Sequence, residues 1–297
     1  MGDQKRMSRA RQPRRSRHGT RPLAFLLAAS LAAAPPATAA ELKRKTAVAF
    51  DRYARLTQAR NEAEVRGPGP FFWVDAMPEP KRSALYEMMK RGQSVMEGKR
   101  TLDGGNEIQV PNGIIHHWIG AAFLPGVNLM QAAEVTLDYD NHFRTYAPEV
   151  AKSKLINRDG GVYQMSLRFI KKKIITVVAD TDHQVHFQKL DAARAHCWSV
   201  TTRIQEVENA GKPNERLLPV GNDGGFLWRL YTWWRFIEGD GGTYIQLESI
   251  TLTRDIPWGL AWLIKPYVNS IPRESLIFTM DKTRVEAMRR ASSTTSH

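Results

Sequence analysis

Apolar and polar positions alternate with period two along much of the chain from residue 110 to residue 254, and beyond that the period lengthens to that of a helix. The clearest stretch runs from Gly242 to Asp255. There Tyr244, Gln246, Glu248, Ile250, Leu252 and Arg254 share one face, and Thr243, Ile245, Leu247, Ser249, Thr251 and Thr253 the other. Neither face is purely apolar, as suits a strand lining something other than a dry core. Past Asp255, Pro257 fits a first helical turn, and Pro266 and Pro272 are expected to divide the C-terminal stretch into a short apolar piece and a longer helix capped by Ser270. On that helix Leu276, Met280, Thr283 and Ala287 form one stripe, which Arg273, Lys282, Arg289 and Arg290 mostly avoid. Such a stripe needs a surface to cover, and the preceding sheet is the candidate.

Upstream, residues 41–66 read as a helix with Ala47, Phe50, Ala54 and Thr57 on one side, ended by Gly67, Pro68, Gly69 and Pro70. Phe71, Phe72 and Trp73 come next, then a second helix from Pro78 to Gly92 with Leu85, Met88 and Met89 apolar. These aromatics are expected to pack the N-terminal helices on the main domain, with a membrane or partner contact as the alternative. A strand over 110–124, a helix capped by Asn128 and reaching Leu137, and strands near 151–158, 161–171, 173–187, 194–208, 225–238 and 243–254 complete the order. Asp159-Gly160-Gly161 and Asp240-Gly241-Gly242 carry hairpin chemistry. The sum is an α+β fold: a curved antiparallel sheet with helices gathered on one side, leaving room between sheet and helix for an apolar ligand.

The formal charge of +13 suggests a nucleic-acid binder until it is located. Residues 1–40 hold eight of the Lys/Arg and one acid, so the remainder carries only +6. That segment has a basic start, an apolar run from Leu23 to Ala34, and small residues at Ala37, Ala39 and Ala40, the pattern of an export signal cleaved near Ala39 or Ala40. The expected destination is the periplasm or cell exterior, and nucleic acid is not an expected partner. The single cysteine, Cys197, can form no internal disulfide and reads as buried and inert. No metal-ligand spacing or phosphate-cradling glycine loop is present, so neither metal nor cofactor is expected.

Two stretches also carry a family resemblance. The run LDYDNHFRTYAPEVAKSKLINRDGGVYQMSLRF, Leu137 to Phe169, resembles the helix-to-strand passage of START-like and polyketide cyclase/dehydrase proteins, the helix-grip superfamily. The ending TYIQLESITLTRDIPWGLAWLIKPYVNSIPRESL resembles their last strand, proline-bounded turn and long C-terminal helix. The resemblance covers about residues 113–288 and implies a helix-grip fold around a cavity for lipids, sterols or polyketides. It divides the chain into a signal peptide (1–40), an N-terminal helical extension (41–109), a START-like domain (110–290) and a tail (291–297). It carries over no catalytic residues.

Candidate ligand contacts come from strand alternation. His116 and His117, adjacent in a strand, face opposite ways, and His117 is the cavity candidate, with a core-satisfied or solvent-facing ring as the alternative. Arg168 could hold an anionic head group or lie in solvent. Around Phe226 to Phe236, Tyr231, Trp233 and Arg235 share a face on which arginine–aromatic pairing across a solvated surface is the simplest reading. Trp198 and Glu248 are the remaining strand candidates, Glu248 either as an acid or base whose pKa a histidine neighbour raises, or in a cross-strand ion pair with Arg203 or Arg235. Met280 would close the cavity from the helix. The resulting expectation is a non-enzymatic carrier of a hydrophobic molecule or lipid, with transient membrane contact. The alternatives are a cyclase or dehydratase using the same cavity, and an envelope interaction module that docks through residues 41–110.

Overall fold

The structure, a computed structural model, describes residues 40–173, 176–255 and 261–294, with backbone alone for 261–269 and 294. The expected export signal and Pro257 lie outside the described residues. A short strand β1 (Ala40–Glu41) leads into helix α1 (Arg44–Arg66), which ends at Gly67, and a 3-10 turn (Trp73–Ala76) precedes α2 (Lys81–Lys90). Strands β2 (Val95–Gly98), β3 (Leu102–Asp103), β4 (Asn106–Glu107) and β5 (Gly113–Pro125) come after it. Helix α3 (Leu129–Leu137) starts at a capping box in which Asn128 accepts from Gln131 N and the Gln131 side chain accepts from Asn128 N. The four-residue α4 (His142–Thr145) leads to β6 (Val150–Asp159), β7 (Val162–Lys172), β8 (Thr176–Lys189) and β9 (Arg194–Glu208). After the short β10 (Arg216–Leu217) and β11 (Asn222–Asp223) come β12 (Arg229–Gly239), β13 (Gly242–Arg254) and α5 (Ala261–Thr294).

Helix α5 is one helix across Pro266 and Pro272, in place of the break that the prolines predict, and Ser270 lies inside it rather than capping it. Proline's fixed φ is itself helical, so each ring removes one hydrogen bond without forcing the chain out of the helix. Downstream, the buried stripe of Leu276, Met280, Thr283 and Ala287 anchors the helix on the sheet.

All pairings are antiparallel, and the large sheet runs β2-β5-β13-β12-β9-β8-β7-β6, with β10 beside β9. Its inner face packs on α3 and α5 through Leu124, Leu247, Trp234, Phe236, Met165 and Leu167. Gly120 permits the close approach of α5: a Cβ there would stand 2.6 Å from Met280 Cε and 2.7 Å from Leu276 Cδ2. The outer face is covered too. Phe50, Tyr53 and Ala54 of α1 pack on Trp233, Ile250 and Leu252, while Phe72, Trp73 and Met89 pack on Ile119, Phe123 and Tyr244. Both faces of the central strands are therefore buried, which explains why neither face of β13 is purely apolar in sequence. The sheet ends at β6, whose pairing with β7 is interrupted between Val150 and Lys152 and between Leu155 and Asn157, and whose Lys152, Ile156 and Arg158 are exposed.

Candidate functional site

Cross-strand register sorts the inner face into rows. One row reads Gly120, Leu247, Trp234, Cys197 and Phe187, and beside it lie Ala122, Ile245, Phe236 and Ala195. Both rows are apolar and lie at the end of the sheet covered by the buried stripe of α5. The next row reads Trp118, Ser249, Thr232, Ser199 and Val185. Beyond it stand His116, Thr251 and Leu230, whose N–H donates to Thr201 Oγ1, then Thr201 itself paired with His183, and Met165. Polarity thus rises along the strands, from an apolar end to one rich in hydroxyls and imidazoles. Trp118, Ser249, Thr232, Leu230 and Thr251 are only half-buried, so this end is less tightly covered.

The polar groups here are partly engaged with one another. His183 Nε2 lies 2.9 Å from Thr181 Oγ1 and its Nδ1 3.4 Å from Ser199 Oγ; His116 Nε2 lies 3.2 Å from Thr253 Oγ1. Burial lowers His183 to about 3 and His116 to about 4, so both rings are neutral at pH 7. Thr251 Oγ1 is buried and has no hydrogen-bond partner among the described residues. His142 of α4 is buried nearby, close enough that its charge bears on His183. Its ring is buried between Tyr139 and Tyr146, and Tyr146 Oη bonds Thr283 Oγ1 of α5 at 3.0 Å. A cavity of about 540 Å³ lies at the other end of these strands, lined by Val127, Asn128, Ala193, Glu238 and glycine backbone. Its carboxylate, Glu238, already accepts from Leu129 N.

On the outer face a second polar cluster joins α1 to the sheet. Thr101 N–H donates to Tyr53 Oη, which sits 2.7 Å from His117 Nδ1, and His117 Nε2 lies 2.6 Å from Glu248 Oε1. Arg60 also bonds Glu248 Oε1, and Asn61 Nδ2 donates to Oε2 at 3.2 Å. Beside them Arg235, 1% exposed, donates to Asn61, Glu64 and the Phe71 carbonyl. Burial outweighs the carboxylate at His117 and lowers it, leaving a neutral ring that donates from Nε2. At Glu248 burial pushes the pKa up, but His117, Arg60 and Asn61 overcome it and hold the carboxyl down to about 2. The Tyr-His-Glu chain has the form of a proton relay, yet Glu248 is fully buried beneath α1 and works as a clamp.

The residues singled out in the sequence therefore separate. Met280 is fully buried on the inner face, as expected of a gripping helix. His117, Tyr231, Trp233 and Glu248 face α1, on the side of the sheet away from α5, and the inner-face member of the histidine pair is His116. Glu248 is beside a histidine, but its pKa falls instead of rising, and its arginine partner is Arg60 of the extension rather than Arg203 or Arg235. The face of Tyr231, Trp233 and Arg235 is not solvated: Trp233 is 4% exposed and Arg235 stacks over Phe71. Trp198 lies on the outer face, stacked on His186 at 4.0 Å. Arg168, also outside, is held bidentately by Asp180 and by Glu215, so its guanidinium is already neutralised. Cys197 is buried on the inner face with its thiol pushed up to about 12, which makes it inert. Sequence reasoning passed over His142, His183, Ser199, Thr232 and Thr251. For Thr251 the signal was a run of hydroxyls at every second position, Ser249, Thr251 and Thr253, opposite a face already rich in large side chains.

No family model matches the chain, and no curated protein matches it. Among solved structures, the Zhui aromatase/cyclase from Streptomyces sp. R1128 is similar over 60% of this chain and 96% of its own, at 13% identity and a TM-score of 0.42. Human STARD10 is similar over 78% of this chain and 87% of its own, at 9% identity and a TM-score of 0.41. A STAR-related lipid transfer protein from Xanthomonas axonopodis is similar over 66% and 98%, at 13% identity and a TM-score of 0.38. By its strand order and by the placement of α5 across the inner face, the chain has an α+β helix-grip arrangement, an antiparallel sheet closed on one side by its C-terminal helix.

Proposed function

We propose that the protein is an exported carrier holding an apolar molecule with hydrogen-bonding groups between the inner face and α5. The graded inner face carries this reading. A surface made only for packing would continue the apolar rows, whereas here Ser249, Thr232, Ser199, Thr251, Thr201 and two imidazoles succeed them. A buried hydroxyl without a partner, as at Thr251, costs about 1–3 kcal/mol that a ligand group could recover. The apolar rows would supply affinity at roughly 25 cal/mol per Å² of surface covered, before ordering costs. Binding is favoured over cyclase chemistry because the inner-face histidines, held near 3 and 4, are poor bases at neutral pH. Export is supported by the basic start, apolar run and small residues of the first 40 positions.

The test is native mass spectrometry of the protein purified from its host, with extraction of bound molecules, alongside titration with the apolar fluorophore N-phenyl-1-naphthylamine. A co-purifying apolar molecule and saturable fluorophore uptake are expected. An empty protein that takes up no fluorophore overturns the proposal. N-terminal sequencing of the periplasmic or secreted fraction tests export, with a start near Glu41 expected and a retained Met1 contradicting it.

A further inference from the structure

We propose that removal of the export signal completes an ion pair: the α-ammonium that hydrolysis leaves on Ala40 takes the unpartnered Oδ2 of Asp223, an assignment that rests on the export reading. Ala37-Thr38-Ala39 has the small-x-small form at which such a cut falls, which makes Ala40 the first residue of the product. Hydrolysis of the Ala39–Ala40 amide adds one water, leaving a carboxylate on Ala39 and an ammonium on Ala40. Strand β1 fixes where that ammonium stands. Ala40 is paired with Asp223 and Glu41 with Asn222, and Leu42 N donates to the Gly221 carbonyl at 2.6 Å. Alternation along an antiparallel ladder makes Ala40 and Asp223 the next hydrogen-bonded pair, with both side chains on the same face. Glu41 points the other way and is exposed.

Asp223 is 1% exposed. Its Oδ1 accepts from Gly225 N at 2.7 Å and from Trp228 Nε1 at 3.1 Å, while Oδ2 is buried with no partner among the described residues. A second buried carboxylate, Glu206, lies close by and accepts from Gly224 N and Phe226 N. Burial raises both carboxyls, the Asp223 charge raises Glu206 further, and Arg254, over the Phe226 ring at 5.5 Å, acts on both in the opposite sense. Two buried negative groups thus lean on the Arg254 guanidinium, and a second cation would balance them. Protonating Oδ2 would only exchange an unpartnered acceptor for an unpartnered donor, whereas a cation meets both its lone pairs and its charge. The amide of uncut Ala40 has one proton, which the ladder takes. The ammonium has three, and keeps the ladder bond while turning another toward Oδ2. The front of α1, which begins at Arg44, is therefore held more firmly in the product than in the precursor.

N-terminal sequencing of the exported protein and urea unfolding of two forms test this: the chain beginning at Ala40, and one that keeps residues 35–39 ahead of it and so carries an ordinary amide at Ala40. The folding equilibrium constant of the first should exceed that of the second by about tenfold or more, as for a charge pair with one buried member. In Asp223→Asn, which keeps the side-chain shape, the two forms should be level. A retained Met1 overturns the export reading, and a start at any later residue other than Ala40 overturns this assignment while leaving export standing. A start at Ala40 with both forms equally stable overturns the ion pair alone. A difference that persists in folded Asp223→Asn overturns the role of Asp223, and the wild-type comparison stands even where that variant does not fold.

Discussion

Replacing Glu248 with Gln tests whether the outer-face cluster clamps the N-terminal helix to the sheet. Glu248 is fully buried, accepts from His117, Arg60 and Asn61, and is held down to about 2 from the ordinary 4.5. A displacement of that size corresponds to about 3 kcal/mol favouring the ionised form, at roughly 1.36 kcal/mol per tenfold. Breaking a buried charge pair by removing one member costs about 3–5 kcal/mol, which agrees. Glutamine keeps the volume, but its amide brings two N–H donors to a site already occupied by the donors of Arg60 and Asn61. The expected loss is about 3 kcal/mol at pH 7, or roughly 6–12 °C in Tm for a chain of this size. Urea unfolding followed by tryptophan fluorescence measures it, since Trp233 lies at this interface and donates to Gln58 of α1. The pH dependence has a definite sign. A carboxyl whose pKa is depressed in the folded state stabilises fully above its unfolded pKa, so the wild-type advantage is complete above about 4.5, shrinks as the pH falls, and is gone below about 2. A difference under 1 kcal/mol at pH 7, or one unchanged between pH 7 and pH 2.5, would refute the clamp.

Three further substitutions probe the inner side. Gly120→Ala places a methyl 2.6 Å from Met280 Cε and 3.0 Å from the Val95 carbonyl, so thermal unfolding should show a loss of about 1–3 kcal/mol, and unchanged stability would mean α5 lies less close. Met280→Lys puts a charge at a fully buried position and should abolish fluorophore uptake or folding; normal stability with normal uptake would contradict the gripping helix. Thr251→Val removes a buried hydroxyl that has no partner and should raise the stability of the ligand-free protein by about 1 kcal/mol in urea unfolding while weakening capture of hydroxylated probes. A loss of stability there would show that the hydroxyl is satisfied inside the protein.

The strands are legible because alternation and hairpin glycines are local signals: residues 194–208 read as a strand and are one, and the Asp240-Gly241-Gly242 turn joins β12 to β13. Which face looks inward is not legible. Alternation assigns residues to a face, and β13 buries both of its faces, so the large polar side chains of Gln246 and Glu248 suggest a ligand when their partners are groups of the N-terminal extension. For Glu248 that partnership leaves a trace in sequence. Asn61 and Glu64 continue the side of α1 that carries Phe50, Ala54 and Thr57, with Arg60 beside them, so the helix face turns from apolar to charged along its length. A charged end on an otherwise apolar stripe matches charged positions on a strand, here Arg235 and Glu248. Pairing the two requires knowing that residues 41–66 lie over that sheet, which is a fact of tertiary structure. His142 is hidden for another reason: it sits in a four-residue helix too short to show a period.

The bulged, lysine-bearing strand β6 governs how copies of this protein meet. An edge strand is a template on which a second chain could extend the sheet, the first step toward fibrous aggregation, and on β6 that edge is already partly met by Asp140, which accepts from Leu155 N. The two register breaks interrupt the regular ladder such an addition would copy, and Lys152, Lys154 and Arg158 would bring like charges together if two such edges met. The same edge that ends the sheet thereby works against sheet-to-sheet growth, independently of what the inner face holds.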